Sequence, residues 1–475
     1  MNLVDATMNL FRKHIKEVLY TFLAFLTIMF ITFSTSQPYQ TDIDFYFFVA
    51  MICFSVLCIC LVDLKRKSRC FIMMFVGEIA VLYYFKAKGI TAETYGPVYS
   101  KVLMLHATLF VINAATILEL LVSGVLRERL KKKNVLWWLL VASAIIALIA
   151  DKHTAVPLII PMVVFLLCDI DSELWSKLVD CFCVAYCCCF VVLFTKSILV
   201  NQDNLFGRYY GDFLNVGAGG MFAGGAAVCA LFMLYKSVRK TSKSKLEIVG
   251  ASVFLLYTFY ALVKFQSRGA VCGVAFALLG LWIFGFSKSY KSILTKFLIC
   301  VGSIVILVAL VIGLSALLNK LNPNITDSAP YWEYRIAQIT NGKSHLDSFE
   351  DNRLLNTIDT FSSGRLSIVI QAIKQIRPWP VDFGSPHNFF LSWLLDYGAI
   401  GGVLFIVWYV VFLIKGIQVW KDDKERALLP LLWHVCCFGA FMFLTNHWHM
   451  ILPFVLLVLQ YPMAVKRLKT EKEKL

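Results

Sequence analysis

Charge is scarce in this chain. Only 16% of its 475 residues are Asp, Glu, Lys or Arg, 59% are hydrophobic, and the mean hydropathy is +0.73. A soluble domain of this size needs far more polar surface, so soluble enzymes and soluble binding modules are excluded. Proline is sparse as well, at 12 residues, but Pro157 and Pro161 interrupt one apolar run, which leaves the runs near 135–150 and 154–169 open to a re-entrant pair. There is no internal repeat, low-complexity tract or heptad pattern. The first apolar run ends without a small-residue cleavage site and a second follows soon after, so it reads as an anchor and not as a cleavable signal peptide. Cysteine is present in fifteen copies, all inside or at the edge of apolar runs, as in Cys187-Cys188-Cys189. None lies in the longest polar connection, and this usage is uninformative about disulfides; the cysteines read as small apolar fillers.

What the chain does have is apolar runs of membrane-crossing length. A span needs ~20 mostly apolar residues. A ~19-residue window finds about fourteen, near 18–36, 43–62, 70–85, 101–124, 135–150, 154–169, 178–198, 213–235, 246–264, 269–287, 293–316, 389–414, 427–445 and 450–464. The expected fold is therefore an all-α polytopic membrane protein with one long outer-face loop that carries short amphipathic helices. Four regions follow: N-terminal membrane helices over 1–204, further membrane helices with arginine motifs over 205–316, the outer loop over 317–388, and C-terminal helices with a basic tail over 389–475.

Charge patterning orients this scheme. The formal net charge is +15, but the basic residues are not gathered on one domain, which excludes nucleic acid as a partner. They sit in clusters after alternate apolar runs, and only the connection near Asp169 to Lys177 is weakly basic. Lys65, Arg66, Lys67 and Arg69 form one, and Arg127, Arg129 and Lys131 to Lys133 another. Lys236, Arg239, Lys240, Lys243 and Lys245 form a third, Lys415, Lys421, Lys424 and Arg426 a fourth, and Lys466, Arg467, Lys469, Lys472 and Lys474 fill the tail. Basic connections stay cytoplasmic, so both termini are expected on the cytoplasmic side. The loop from about Leu317 to Pro386 then lies outside. Within it, Ile368, Val369, Ala372, Ile373 and Ile376 share one helical face, Gln371, Lys374, Gln375 and Arg377 take the other, and Ser362 or Ser363 caps the start. Pro378 ends the segment, which reads as a helix lying on the membrane surface.

Ionisable groups at the outer ends of spans are the candidates for chemistry, because a charge in a membrane is costly to keep. Arg208, Arg268 and His387 each precede a span that runs from outside to inside. Each therefore stands at the positive end of a helix, where backbone N–H groups bind phosphate. Two guanidinium groups add bidentate donors. Other groups carry less. Asp169-Ile170-Asp171 falls in a short cytoplasmic turn, and His447-Trp448-His449 has no carboxylate or cysteine nearby in sequence. Tyr331, Trp332, Tyr334 and Trp379 in the loop suit either sugar stacking or an interfacial aromatic belt.

The string His387-Asn388, nine residues, Gly398, two residues, Gly401 resembles the signature of bacterial O-antigen ligases and their polymerase relatives. Ser267-Arg268-Gly269 looks like the second arginine motif of that superfamily. Arg208-x-x-Gly211 followed by Asn215 is similar to the first, and Ser363-Gly364-Arg365 to a further arginine segment in the outer loop. The likeness covers about Leu205 to Gly402. It implies a metal-independent glycosyltransferase, without cofactor, in the bacterial cytoplasmic membrane. The donor would be an undecaprenyl-pyrophosphate-linked glycan, and the acceptor a glycan or a lipid-linked chain. Membrane lipids surround it, and a chain-length regulator or flippase is the candidate protein partner. In this scheme His387, Arg268 and Arg208 are catalytic, and Arg365, Asn388 and Asn215 bind substrate. Polymerisation of repeat units is the leading expectation and ligation of finished glycan to a lipid or protein is the alternative. A lipid-linked oligosaccharide flippase is the alternative from another class.

The orientation is testable. In a cysteine-free background, single cysteines placed at Ser344 and at Ser242 should react with an impermeant reagent from opposite sides of the membrane. Labelling of both from the outside would overturn the alternation.

Overall fold

The computed structural model describes residues 3–36, 43–62, 64–131, 135–150, 172–200, 204–205, 208–209, 216–239, 245–265, 267–282, 365–381 and 388–422, with short pieces and single positions between them. The chain forms two compact units. The first comprises residues 1–141, 152–189 and 454–475, and the second 142–151 and 190–453.

Helix dominates the described residues for a physical reason. Inside a bilayer every backbone N–H and C=O must find its partner within the protein, which a helix achieves along its own length. Among the described residues, six helices are long and apolar enough to cross a membrane: His14–Ser34, Lys67–Ala87, Pro97–Val122, Glu173–Val200, Gly217–Val238 and Lys245–Phe265. Phe45–Leu61, Gly269–Gly280 and Gly398–Val411 are apolar but shorter. The predicted spans near 293–316, 427–445 and 450–464 lie outside the described residues apart from single positions, and the span near 154–169 largely so.

In the first unit, α1 (Leu3–Ser36) packs on α2 (Ile43–Leu61), α2 on α5 (Pro97–Val122), and α5 on α3 (Lys67–Ala87). The short α4 (Ala92–Tyr95) and α6 (Val125–Lys131) flank α5, and α7 (Val135–Ala150) follows, its residues from Ala142 onward belonging to the second unit. Polar side chains are kept within these seams. Thr27, Thr32, Ser55 and Thr116 donate to the carbonyl four residues earlier, which hides each hydroxyl against its own helix. Asn113, 1% exposed, reaches across to Ser55 (3.1 Å). On α3 and α5 the pairs Arg69–Glu119 (3.5 Å), Cys70–Thr116 (3.7 Å) and Glu78–Thr108 (3.1 Å) fall in antiparallel register. The buried Glu119 carboxylate is matched by Arg69, as a charge removed from water requires.

The second unit is built on α8 (Ser172–Val200, whose last eleven residues belong to it), α9 (Val216–Arg239), α10 (Lys245–Phe265) and α11 (Arg268–Gly280). A two-residue antiparallel ribbon, β1 (Asn204–Leu205) with β2 (Arg208–Tyr209), precedes α9. Phe190 and Phe194 of α8 meet Phe222, Tyr257 and Phe265 at ring separations of 5.4–5.9 Å, and Thr195 hydrogen-bonds Tyr257 (2.7 Å).

The predicted amphipathic segment is present as α12 (Arg365–Gln375), which stops before Pro378 as expected. Gln371, Lys374, Gln375 and Arg377 are exposed, but Ile373 is exposed too, and Ala372 is the buried member of the face. Ser362 and Ser363 lie outside the described residues.

The predicted single span 389–414 is corrected. It is two helices, α13 (Phe389–Asp396) and α14 (Gly398–Asp422), and α13 folds back along α14. Trp393 and Phe405 stack with centroids 4.2 Å apart, and Phe390 meets Tyr409 at 5.5 Å. On a continuous helix, residues twelve apart would be separated by about 18 Å. Two glycines allow the reversal. Gly398 adopts φ +73°, a left-handed conformation that side chains disfavour. Gly402 lies against the Leu394 backbone, where an added Cβ would come within 2.7 Å of Leu394 Cα. Apolar periodicity continues through the break, so hydropathy alone reads one span.

Gly398→Ala should therefore destabilise the protein strongly. The φ penalty is about 1–3 kcal/mol, and the new Cβ would also meet Trp379 C at 2.8 Å and the Pro378 carbonyl. Gly250→Ala, with nothing within 4 Å on α10, should be neutral or mildly stabilising. Thermal unfolding of the two variants in detergent checks the contrast. Equal melting temperatures would sink the hairpin assignment.

Candidate functional site

The second unit carries the residues singled out in the sequence, and α9 determines how two of them are placed. Its first turns are rich in small residues (Val216-Gly217-Ala218-Gly219-Gly220), and more of it is buried than of any other candidate span. Small residues let helix backbones approach closely, which is how helices associate when lipid and side chains are equally apolar. Gly219 faces the Phe265 ring, and Gly220 faces Ser267, so neither position has room for a Cβ. Gly224 makes ordinary contact with Ala270 and Val274.

These contacts bring the start of α9, the end of α10 and the start of α11 together. Arg268 is the first residue of α11, and Val271 N–H closes its first turn on Ser267 O (3.0 Å). Ser267 is the N-cap by position but makes no side-chain cap bond. Its buried side chain is instead occupied by the close approach of Gly220. Arg208 stands on β2, and β2 packs on α10. The structure therefore joins the Arg208 ribbon to the helix that leads into Arg268. The starts of α9 and α11 therefore lie side by side, and N–H groups at helix starts favour an anion.

Arg365 and Asn388 belong to a second cluster. Arg365 is the first residue of α12, and α12 packs on α13. Asn388 is the N-cap of α13, its Oδ1 accepting the Leu391 N–H at 3.1 Å. That bond gives Asn388 a helix-starting role in addition to the substrate contact expected of it. Among the described residues, neither α12 nor α13 packs extensively on α9, α10 or α11. His387 and Asn215 lie outside the described residues, as do the side chains of Arg208, Arg268 and Arg365. Tyr331, Trp332, Tyr334, Asp169, Asp171, His447 and His449 also lie outside them.

The segment after α12 links this cluster to the helical hairpin. Ala399 N–H donates to Arg377 O and Val381 N–H to Leu395 O, both at 2.8 Å. Gly401 sits against Ile146 of α7, at 2.7 Å from an added Cβ to Ile146 Cγ2, so a helix does approach closely there, as its spacing in the string suggests. Gly398, the other glycine of the string, instead forms the tip of the hairpin. Sequence reasoning missed this role because a conformational requirement on one residue leaves no mark on hydropathy. Comparison with known proteins finds no family model, curated protein or solved structure that matches the chain.

The seating of α11 on α9 can be tested by a pair of substitutions. Gly220→Ala should destabilise by about 1–3 kcal/mol through overpacking. Ser267→Gly, which removes the opposing Cβ, should restore part of that loss when combined with it. A double variant whose thermal stability falls by the sum of the two single losses would show that the residues do not meet.

Proposed function

We propose that this protein is a membrane glycosyltransferase of surface polysaccharide assembly. It polymerises undecaprenyl-pyrophosphate-linked repeat units on the outer face of a bacterial cytoplasmic membrane, with both chain termini cytoplasmic. One observation carries the reading. The ribbon bearing Arg208 packs on α10, whose end runs into Arg268 at the first position of α11, beside the start of α9. Two helix starts side by side, with Arg268 on one of them and the Arg208 ribbon packed on α10, suit a lipid-linked pyrophosphate in a membrane protein. Their likeness in order and spacing to the arginine and histidine motifs of O-antigen polymerases and ligases supports the same substrate class.

The chemistry asks little covalent help of the protein. Pyrophosphate is already a good leaving group. Arg208 and Arg268 stabilise the charge that grows on the departing oxygen as the glycosidic bond to the donor breaks. His387 takes the proton of the attacking acceptor hydroxyl, which its unperturbed pKa of ~6.5 permits near neutral pH. Arg365 holds the second phosphate or the acceptor glycan. Asn388 starts the helix that follows His387, and Asn215 contributes a hydrogen bond to the donor. No metal and no organic cofactor is used.

Purified protein incubated with a defined lipid-linked repeat unit should yield a ladder of products. A single transfer to a second lipid would identify a ligase instead, and movement across vesicle membranes without new bonds would identify a flippase. Arg268→Ala and Arg208→Ala should abolish the ladder without lowering membrane levels of the protein. Arg268→Lys should also fail, because a point charge does not replace a planar two-pronged donor. His387→Ala should lower turnover by roughly 10²–10⁴-fold. Normal ladders from the Lys variant would reassign Arg268 to membrane anchoring.

A further inference from the structure

Two carboxyl groups stand in the seam between α3 and α5, and their surroundings differ. Glu119 is buried near the end of α5, with Arg69 Nε 3.5 Å away. Glu78 stands near the middle of α3, about 17 Å along the helix from its start. That is roughly half the ~30 Å thickness of a hydrocarbon core. Thr108 of α5 donates to Glu78 Oε2 at 3.1 Å, whereas Oε1 is buried and has no hydrogen-bond partner. Among the described residues, no basic side chain pairs with Glu78. The helices are pressed together at this level, because a Cβ added to Gly77 would come within 2.6 Å of Val111 Cγ1. Thr108 is also used differently from Thr27, Thr32, Ser55 and Thr116, whose hydroxyls bond their own helix. Its hydroxyl crosses the seam to the carboxyl.

The neighbours supply no counter-charge. Residues three and four away from Glu78 on α3 and from Thr108 on α5 are all apolar, from Met74 and Phe75 to Val111 and Ile112. Of the other titratable groups on the two helices, Lys67, Arg69, Cys70 and Glu119 lie toward one end of the seam. Tyr83, Tyr84, Lys86, Tyr99 and Lys101 lie toward the other, and His106 lies against the Phe48 ring of α2 at 5.1 Å. A carboxylate at this depth would be a charge without compensation, which one hydroxyl does not relieve. The neutral acid accepts the Thr108 bond on Oε2 and leaves one O–H without an acceptor, a far smaller cost. A metal cation would need more oxygens than one carboxyl and one hydroxyl provide. A proton is the cation that fits.

We propose that Glu78 and Thr108 form a proton-binding site within the membrane. Glu78 takes up one proton from water on Oε1 and returns it to water, while Thr108 holds Oε2. The site belongs to the first unit and does not rest on the glycosyltransferase reading. The charged form needs water around it, so proton uptake favours the closed seam at Gly77 and Val111. Glu119, matched by Arg69, stays ionised in the same seam and takes no part.

The test uses the full-length protein in nanodiscs. Near neutral pH its infrared spectrum should show the C=O band of a protonated carboxyl, and Glu78→Gln should lack that band. The apolar reagent dicyclohexylcarbodiimide, which adds to protonated carboxyls, should modify Glu78 and leave Glu119 untouched, as read by peptide mass spectrometry. Raising the pH should abolish both signals, and lowering it again should restore them. Thr108→Val removes a donor that favours the charged form. It should move the midpoint of that titration up by about one pH unit, a tenfold gain in proton affinity. Modification is read in the unaltered protein, so it decides the matter even if Glu78→Gln does not fold. A carboxyl band that is absent, or that survives in Glu78→Gln, would overturn the site, as would modification of Glu119 in place of Glu78. Signals that persist at every pH would overturn proton exchange. Loss of modification when sodium replaces choline at fixed pH would make this a metal-cation site instead.

Discussion

The close approach of α9 to the end of α10 and the start of α11 is the constraint on which the second unit depends. Gly219 and Gly220 have no room for a side chain, and their neighbours Phe265 and Ser267 bracket the junction between α10 and α11. In lipid there is no hydrophobic force to press helices together, so contact area and hydrogen bonds must do so. Removing side chains from one helix surface brings backbones nearer and increases that area. The same contact seats the start of α11, whose first residue is Arg268, against the start of α9.

A second use of glycine shapes the C-terminal part. Gly398 permits a left-handed turn and lets the Pro378–Trp379 backbone lie directly on it, while Gly402 makes room for Leu394. The result is a short helix folded back on a long one, with a proline-flanked segment strapped across the tip. Irregular backbone of this kind is tolerated in a membrane protein only when the protein itself satisfies its polar groups. The two 2.8 Å bonds from Val381 and Ala399 do so here. A site built on such a hairpin gains rigidity from the scaffold while presenting loop residues, which carry function more often than core residues do.

The first unit solves a different problem. Its polar side chains lie within helix seams, either bonded to their own helix or paired across α2, α3 and α5. Glu78 and Glu119 stand in otherwise apolar runs, a signal present in the sequence that attention to span ends passed over. The exposed face of α3 is a continuous apolar surface, as lipid contact requires.

Composition and hydropathy by themselves determined that this is a helical membrane protein, because twenty apolar residues in lipid have few alternatives to a helix. They also located most described helices to within a few residues, the amphipathic α12, and its stop before Pro378. The arginine positions at the first residue of α11 and of α12 were legible for the same reason, since helix starts follow from where apolar periodicity begins. The tertiary structure alone decided that residues 389–422 form a hairpin, because one residue's φ does not alter hydropathy. It alone decided that Gly398 supports Trp379 and that Asn388 caps α13. It also decided that Gly220 meets Ser267, since a glycine marks available space but does not name the residue that fills it.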